Sequence, residues 1–345
     1  MDKIREIADF LKSYDGEPVT LMEVCGTHTA SIVENGIESM LSNKIRLITG
    51  PGCPVCVTVA AYIDRLCELS KVPNTCVCSF GDMIRVGGSK GSLHDAKAEG
   101  GRTLMVYSPL DLIEIAKNEP YTTFIFAAVG FETTTPLYAV LLEEITKQNI
   151  NNIKLLTALK TMPAVIDKVL SMEHSITGMI APGHVSVITG YDIFTPFANK
   201  YNIPFVVAGF EGEQLLSAIW ALAKLRGRSV VKNLYTEAVG KERNDAAYSL
   251  VEKYFEPCPA AWRGLGIIEN SGMRLRPEYA QFDAGSENLY DDYIPKGCSC
   301  GQVIIGAKKP EECPLFGKAC TPLTPVGACM VSHEGSCFNY FMKKG

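Results

Sequence analysis

No apolar run in these 345 residues approaches the ~20 needed to span a bilayer. The opening stretch, MDKIREIADFLKSYDG, interleaves charges with apolar positions and lacks the apolar core of a signal peptide. The chain therefore reads as cytoplasmic, with no expected membrane contact. It also lacks a Lys/Arg tract: 33 basic and 38 acidic residues leave a formal charge of −5, which argues against nucleic acid as a partner. Cysteine is missing from Ser79 to Pro257, although the chain holds 13 cysteines in all.

What is present is thiol gathered into two banks. Cys25, Cys53, Cys56, Cys67, Cys76 and Cys78 form the first, and Cys298, Cys300, Cys313, Cys320, Cys329 and Cys337 the second; Cys258 stands between them. In a cytosolic chain structural disulfides are rare, so dense cysteine points to metal binding or redox chemistry. Thiolate is the form that does both.

The length carries a prior of roughly two to three domains at about 150 residues each. From residue 18 to about 226 a short apolar strand, a Gly/Pro turn and an amphipathic helix recur. PVTLMEV, KIRLITG, TCVCSF, TLMVYS, TTFIFAAV, IKLLTAL, ITGMIAP and PFVVAGF supply the strands. Such alternation predicts an α/β fold with parallel sheets covered on both faces. Eight strands suggest two α/β domains, at about 1–120 and 121–228, with exchange of segments between them allowed. AAVGFETTTPL and VVAGFEGEQLL form a weak internal echo. After Arg228 the rhythm stops: a helix around GKERNDAAYSLVEKYF is expected, then an irregular region and a loop-rich third domain, 229–345.

In GPGCPVC, a strand ends at Gly50 and a helix is expected to begin near Cys56. Unpaired N–H groups and the helix dipole would stabilise thiolate there, so Cys53 and Cys56 read as a redox dithiol. The rivals are a structural pair, or zinc with Cys76 and Cys78 as further ligands. Cys25-Gly-Thr-His28 follows the first strand, where open α/β sheets bind ligands. It offers S and N ligands for one metal or a His-activated thiolate; the plain alternative is a buried Cys beside a capping Thr27 or Thr29. Glu132 and Thr133 in GFETT, and His184 and Ser186 in PGHVS, also fall at strand ends; each could simply serve a helix N-terminus. His94, His174, Cys67 and Cys258 are assigned no role.

The tail reads Cys313-PLFGKA-Cys320-TPLTPVGA-Cys329-MVSHEGS-Cys337. It contains no Cys-x2–4-Cys pair of the kind zinc knuckles use, and widely spaced thiolates in a Gly/Pro-rich loop suit a [4Fe–4S] cluster better. Zinc and disulfides are the alternatives, and Cys298 and Cys300 are either substitute ligands or a nearby thiol pair.

Taken together, CGTH at 25–28, GPGCPVC at 50–56, GFETT at 130–134, PGHVS at 182–186 and the tail motif closely resemble the HypD family of [NiFe]-hydrogenase maturation factors. The resemblance runs from about residue 18 to the C-terminus. It implies two α/β domains facing a cleft and a C-terminal domain holding a [4Fe–4S] cluster on Cys313, Cys320, Cys329 and Cys337. It further implies a scaffold that, with HypC, carries the iron of an Fe(CN)2CO unit on Cys25, takes cyanide from HypE and supplies the hydrogenase large subunit. Cys53 and Cys56 become the redox pair, with His28, Glu132, Thr133 and His184 lining the cleft. The alternative function is a free-standing iron–sulfur thiol-disulfide reductase.

Overall fold

The chain folds around two separate sheets. The computed structural model describes residues 2–172 and 175–343; His174 lies outside them. Eleven strands run in order: β1 Val19–Glu23, β2 Ile45–Thr49, β3 Thr75–Ser79, β4 Thr103–Met105, β5 Thr123–Gly130, β6 Ile153–Lys160, β7 Gly178–Ala181, β8 Phe205–Val207, β9 Val231–Asn233, β10 Phe255–Trp262 and β11 Gly266–Leu275. The first sheet is fully parallel, in the order β2-β1-β7-β8-β9. The second runs β10-β11-β6-β5-β3-β4, parallel except at β11–β6 and β10–β11.

The apolar runs explain the parallel portion. In β5, TFIFAAVG, every residue after the first is buried, as a strand covered on both faces requires. All eight strands expected from the sequence form. The chain leaves the first sheet after β2, builds β3 to β6 of the second, returns for β7 to β9 and crosses back for the β10–β11 hairpin.

Two regions depart from expectation. The segment after the helix Asp245–Tyr254 is not irregular: it is the long antiparallel hairpin. Two prolines, Pro257 and Pro259, concealed it, and they are tolerated because β10 is an edge strand. β9 is a three-residue edge strand, too short to register as a pattern.

The internal echo has a structural counterpart. Gly130-Phe131-Glu132 follows β5 and Gly209-Phe210-Glu211 follows β8, each leading into a long helix, Thr135–Lys147 and Gly212–Leu225. One lies on each sheet.

The tail has little regular structure beyond the short helices Cys300–Ile304 and Ser336–Met342. Its Cys300, Cys329, Met330 and Tyr340 share one core cluster with Met22, Val24 and Val57 of the first-sheet region and with Trp262 of the hairpin. This puts the second cysteine bank beside the carboxyl ends of β1 and β2.

Candidate functional site

The order β2-β1-β7-β8 places GPGCPVC, CGTH, PGHVS and Gly-Phe210-Glu after four adjacent parallel strands. Their carboxyl ends form one edge, the usual ligand face of such a sheet.

Cys25 is the N-cap of the helix Gly26–Glu34, with extended backbone. Glu23, at the end of β1, turns back on it: one carboxylate oxygen accepts from the Cys25 N–H at 2.8 Å, and the other accepts from the Thr29 hydroxyl. Thr29 thus holds Glu23 rather than capping the helix. Burial pushes Glu23 up to about 7, partly offset by these two hydrogen bonds. Burial likewise pushes the Cys25 thiol up to about 12, with the Glu23 and Glu334 charges adding to it. A buried thiol of this kind stays protonated until a cation displaces the proton.

His28 is fully buried. Its Nε2 lies 3.2 Å from the Ala208 carbonyl, the geometry of an N–H donor, while Nδ1 is buried without a partner. Desolvation holds the ring near 4, so it is neutral at physiological pH. Phe210 lies between the two imidazoles, its centroid 5.0 Å from His28 and 3.9 Å from His184. Sequence reasoning missed Phe210; its only signal was the Gly-Phe-Glu echo. Ser186 donates to the Pro182 carbonyl at 2.7 Å and serves its own helix.

GFETT does not join this edge. Glu132 Oε1 accepts from the Met162 N–H at 2.8 Å, and Oε2 is buried without a partner. Its carboxyl lines a separate, largely apolar cavity of about 840 Å³ with Phe197 and Tyr248. Thr133 is exposed, its hydroxyl 3.5 Å from that of Thr134.

The dithiol loop lies directly on Cys25. The Gly26 N–H donates to Gly52 O at 3.1 Å, and Gly50 N–H to Glu23 O at 2.7 Å. Cys53 and Cys56 are buried and joined as a disulfide, with Cα atoms 5.3 Å apart and the Cys56 N–H 3.2 Å from Cys53 Sγ. The expected helix does not start at Cys56: the next helix begins at Ala60, one turn later. Dipole stabilisation of Cys56 is correspondingly weakened, since it fades within a turn. Cys76 and Cys78 lie in β3 within a different core cluster, so they do not complete a tetrad with this pair.

The tail cysteines converge. Cys298, Cys300, Cys313, Cys320, Cys329 and Cys337 line one small apolar pocket with Phe316 and Met330. Cys300 Sγ is 3.3 Å from Cys329 Sγ, and the Val326 N–H points at Cys320 Sγ at 3.3 Å. Among the described residues no group of three or more His, Cys, Asp or Glu has the geometry of a single-metal-ion site. A second small pocket is lined by Cys53, Cys56, Cys329, Glu334, Gly52 and Gly26. Cys329 is the cysteine common to both pockets. Glu334, unmarked in the sequence, packs so closely on Gly26 that a Cβ there would collide with its main chain. Three segments remote in sequence therefore meet at Cys25.

Comparison with known proteins gives the family. A family model described as "HypD: Hydrogenase formation hypA family" matches residues 2–344. The hydrogenase maturation factor HypD of Rhodobacter capsulatus is 38% identical, over 99% of this chain and 94% of that protein. That of Escherichia coli K12 is 37% identical over 99% and 93%, and that of Rhizobium leguminosarum bv. viciae 40% over 97% and 89%. Among the described residues no helix is long and apolar enough to cross a membrane. The chain belongs to the HypD family of hydrogenase maturation factors.

Proposed function

We propose that the chain is a cytoplasmic scaffold that, with HypC, binds an iron atom on Cys25 and assembles on it the Fe(CN)2CO moiety of [NiFe]-hydrogenase. HypE is the cyanide donor and the hydrogenase large subunit the recipient. The observation that carries the reading is the meeting of the Cys25 loop, the Cys53–Cys56 pair and Cys329 at one place, with the other tail cysteines behind.

The redox requirement follows from balance. Releasing cyanide from a thiocyanate, R–S–CN + 2e⁻ + H⁺ → R–SH + CN⁻, consumes one electron pair. Reduced Cys53 and Cys56 supply that pair and two protons as they close to the disulfide; one proton goes to the leaving thiol and one to solvent. Cys25 offers a soft ligand suited to electron-rich iron. Neutral His28 presents a free Nδ1 lone pair within the same edge of the sheet.

The tail donor set fits a [4Fe–4S] cluster: six thiols in an apolar pocket, with no carboxylate among its lining residues and a backbone N–H aimed at one sulfur. Such a cluster supplies electrons singly. The spacing favours Cys313, Cys320, Cys329 and Cys337 as ligands, but the 3.3 Å approach of the Cys300 and Cys329 sulfurs favours a second reading. In it Cys300 and Cys329 are a second dithiol, and Cys298, Cys313, Cys320 and Cys337 would hold the cluster. Cys329 then faces the Cys53–Cys56 pair, and thiol–disulfide exchange can pass the electron pair onward.

The test is anaerobic infrared spectroscopy of the chain co-produced with HypC. Cys25→Ala should retain the cluster's visible absorption and lose the cyanide and carbon monoxide bands. Unchanged bands in that variant would refute the ligand role; disulfide reduction without any partner, unaffected by Cys25→Ala, would favour a free-standing reductase.

A further inference from the structure

Lys160 ends β6 and is only 3% exposed, one of the few cations buried in the described protein. Its ammonium lies 5.7 Å from the ring centre of Trp262. Among the described residues it makes no hydrogen bond or ion pair. Burying an unpaired ammonium is costly, and this one is lowered to about 8, chiefly by desolvation.

Most of the charges around it are already paired, although among the described residues Arg263 Nη2 and Asp292 Oδ1 lack hydrogen-bond partners. Arg263 pairs with Asp292 at 3.6 Å. Arg274 pairs with Glu256 at 2.9 Å and Glu287 at 3.8 Å. Cys258 is pushed up to about 11 by burial, so it stays a neutral thiol. Among the described residues no carboxylate forms an ion pair with Lys160; Asp292 acts on it only as a more distant charge, opposed by Arg263.

Lys160 also lines a cavity of about 590 Å³ between β6, the hairpin and the segment 277–290, within the size range of small-molecule sites. Its walls carry Asp283 and Glu287, which repel a multiply charged anion, and Val59, Ala260 and Leu289, which suit an apolar body. We propose that this cavity binds an organic monocarboxylate, its head group on the Lys160 ammonium and its apolar portion against Val59, Ala260 and Leu289. The site is distinct from the cysteine pockets, although Thr58, two residues after Cys56, lines it too.

Trp262 is a built-in reporter, and Trp220 is the only other tryptophan. Anaerobically purified full-length Trp220→Phe protein is titrated with butyrate, and in parallel with inorganic phosphate, while Trp262 fluorescence is followed. Butyrate should give a saturable change and phosphate none. Adding Lys160→Met, which keeps an apolar stem of similar length, should weaken butyrate binding about ten- to hundredfold, the worth of a charge-assisted hydrogen bond. Ala260→Leu, which fills the cavity and leaves Lys160 in place, should also abolish the response; circular dichroism establishes folding of each variant. A flat wild-type curve overturns the proposal, as does a butyrate response that survives in either folded variant. Equal binding of phosphate overturns the monocarboxylate assignment.

Discussion

Gly52→Ala separates the geometry of the Cys25 site from the stability of the fold. A Cβ at Gly52 would fall 2.7 Å from Cys25 Cα and nearer still to its nitrogen, where ordinary contact begins at 3.4 Å. The dithiol loop must therefore retreat by more than about 0.7 Å, the difference of those two distances, because the nitrogen contact is tighter still. The obstacle is main chain, so no side chain can swing away. Overpacking of this kind costs about 1–3 kcal/mol. With an unfolding entropy of about 2.1 cal/mol/K per residue over 345 residues, roughly 0.7 kcal/mol/K in total, the melting temperature should fall by only about 1–4 °C. The functional loss should be much larger, because misplacing reacting groups by about 1 Å can cost about 100-fold. The control is Gly87→Ala: a Cβ there meets nothing within 4 Å, and the backbone is not in the left-handed region. Both variants are melted and used to replace the resident HypD in a host that makes [NiFe]-hydrogenase, with active hydrogenase as the readout. If Gly52→Ala matures hydrogenase as well as Gly87→Ala does, the close apposition of Cys25 and the dithiol loop is not required.

The proposed ligand set is tested by comparing Cys298→Ala with Cys329→Ala in anaerobically purified protein. The first should bleach the visible absorption and the second should leave it largely intact; the reverse would restore Cys329 to the cluster. For Glu132, burial raises the folded carboxyl to about 7 from an ordinary 4.5, so its contribution is complete below about pH 4.5 and is lost as pH rises through 7. Glu132→Gln should thus match the natural protein in stability at pH 4 and exceed it by about 3 kcal/mol at pH 8 in denaturant titrations, and an equal gain at both would dismiss the buried charge. His28 runs the other way: lowered to about 4 from 6.5, it withdraws about 3 kcal/mol as pH falls across that interval, and His28→Phe should flatten that part of the acid limb.

The parallel strands were legible because near-continuous Val/Ile/Leu/Phe runs bounded by Gly and Pro have few other homes. Which sheet each strand joins was not, because sheet membership is decided by tertiary pairing: β6 and β7 are consecutive in sequence and belong to different sheets. The same limit explains GFETT. A strand-end position says that a residue faces the carboxyl edge of some sheet, and β5 lies in the second one. The strand-end positions of Cys25 and of the Cys53–Cys56 pair were recoverable from local motifs, since one turn positions each. Glu23, Phe210, Glu334 and the Cys300–Cys329 contact were not: each acquires its place from a chain segment far away in sequence.

What fixes the tail against the Cys25 loop decides whether this site is robust to its surroundings. Among the described residues two ion pairs cross the junction, from Lys309 and Lys343 to Glu38 at 3.3 and 3.7 Å. Both lysines are more than a third exposed, so the pairs contribute about 0–1 kcal/mol each and are screened by salt. The apolar side does more. Tyr340 is 7% exposed and shares a core cluster with Met22, Val24 and Val57, and truncating a buried aromatic costs about 3–5 kcal/mol. Hydrogen exchange of the tail amides should therefore be nearly unchanged between low and ~1 M salt and should accelerate in Tyr340→Ala. Strong acceleration by salt alone would mean that charge, not packing, holds the second cysteine bank in reach of the first.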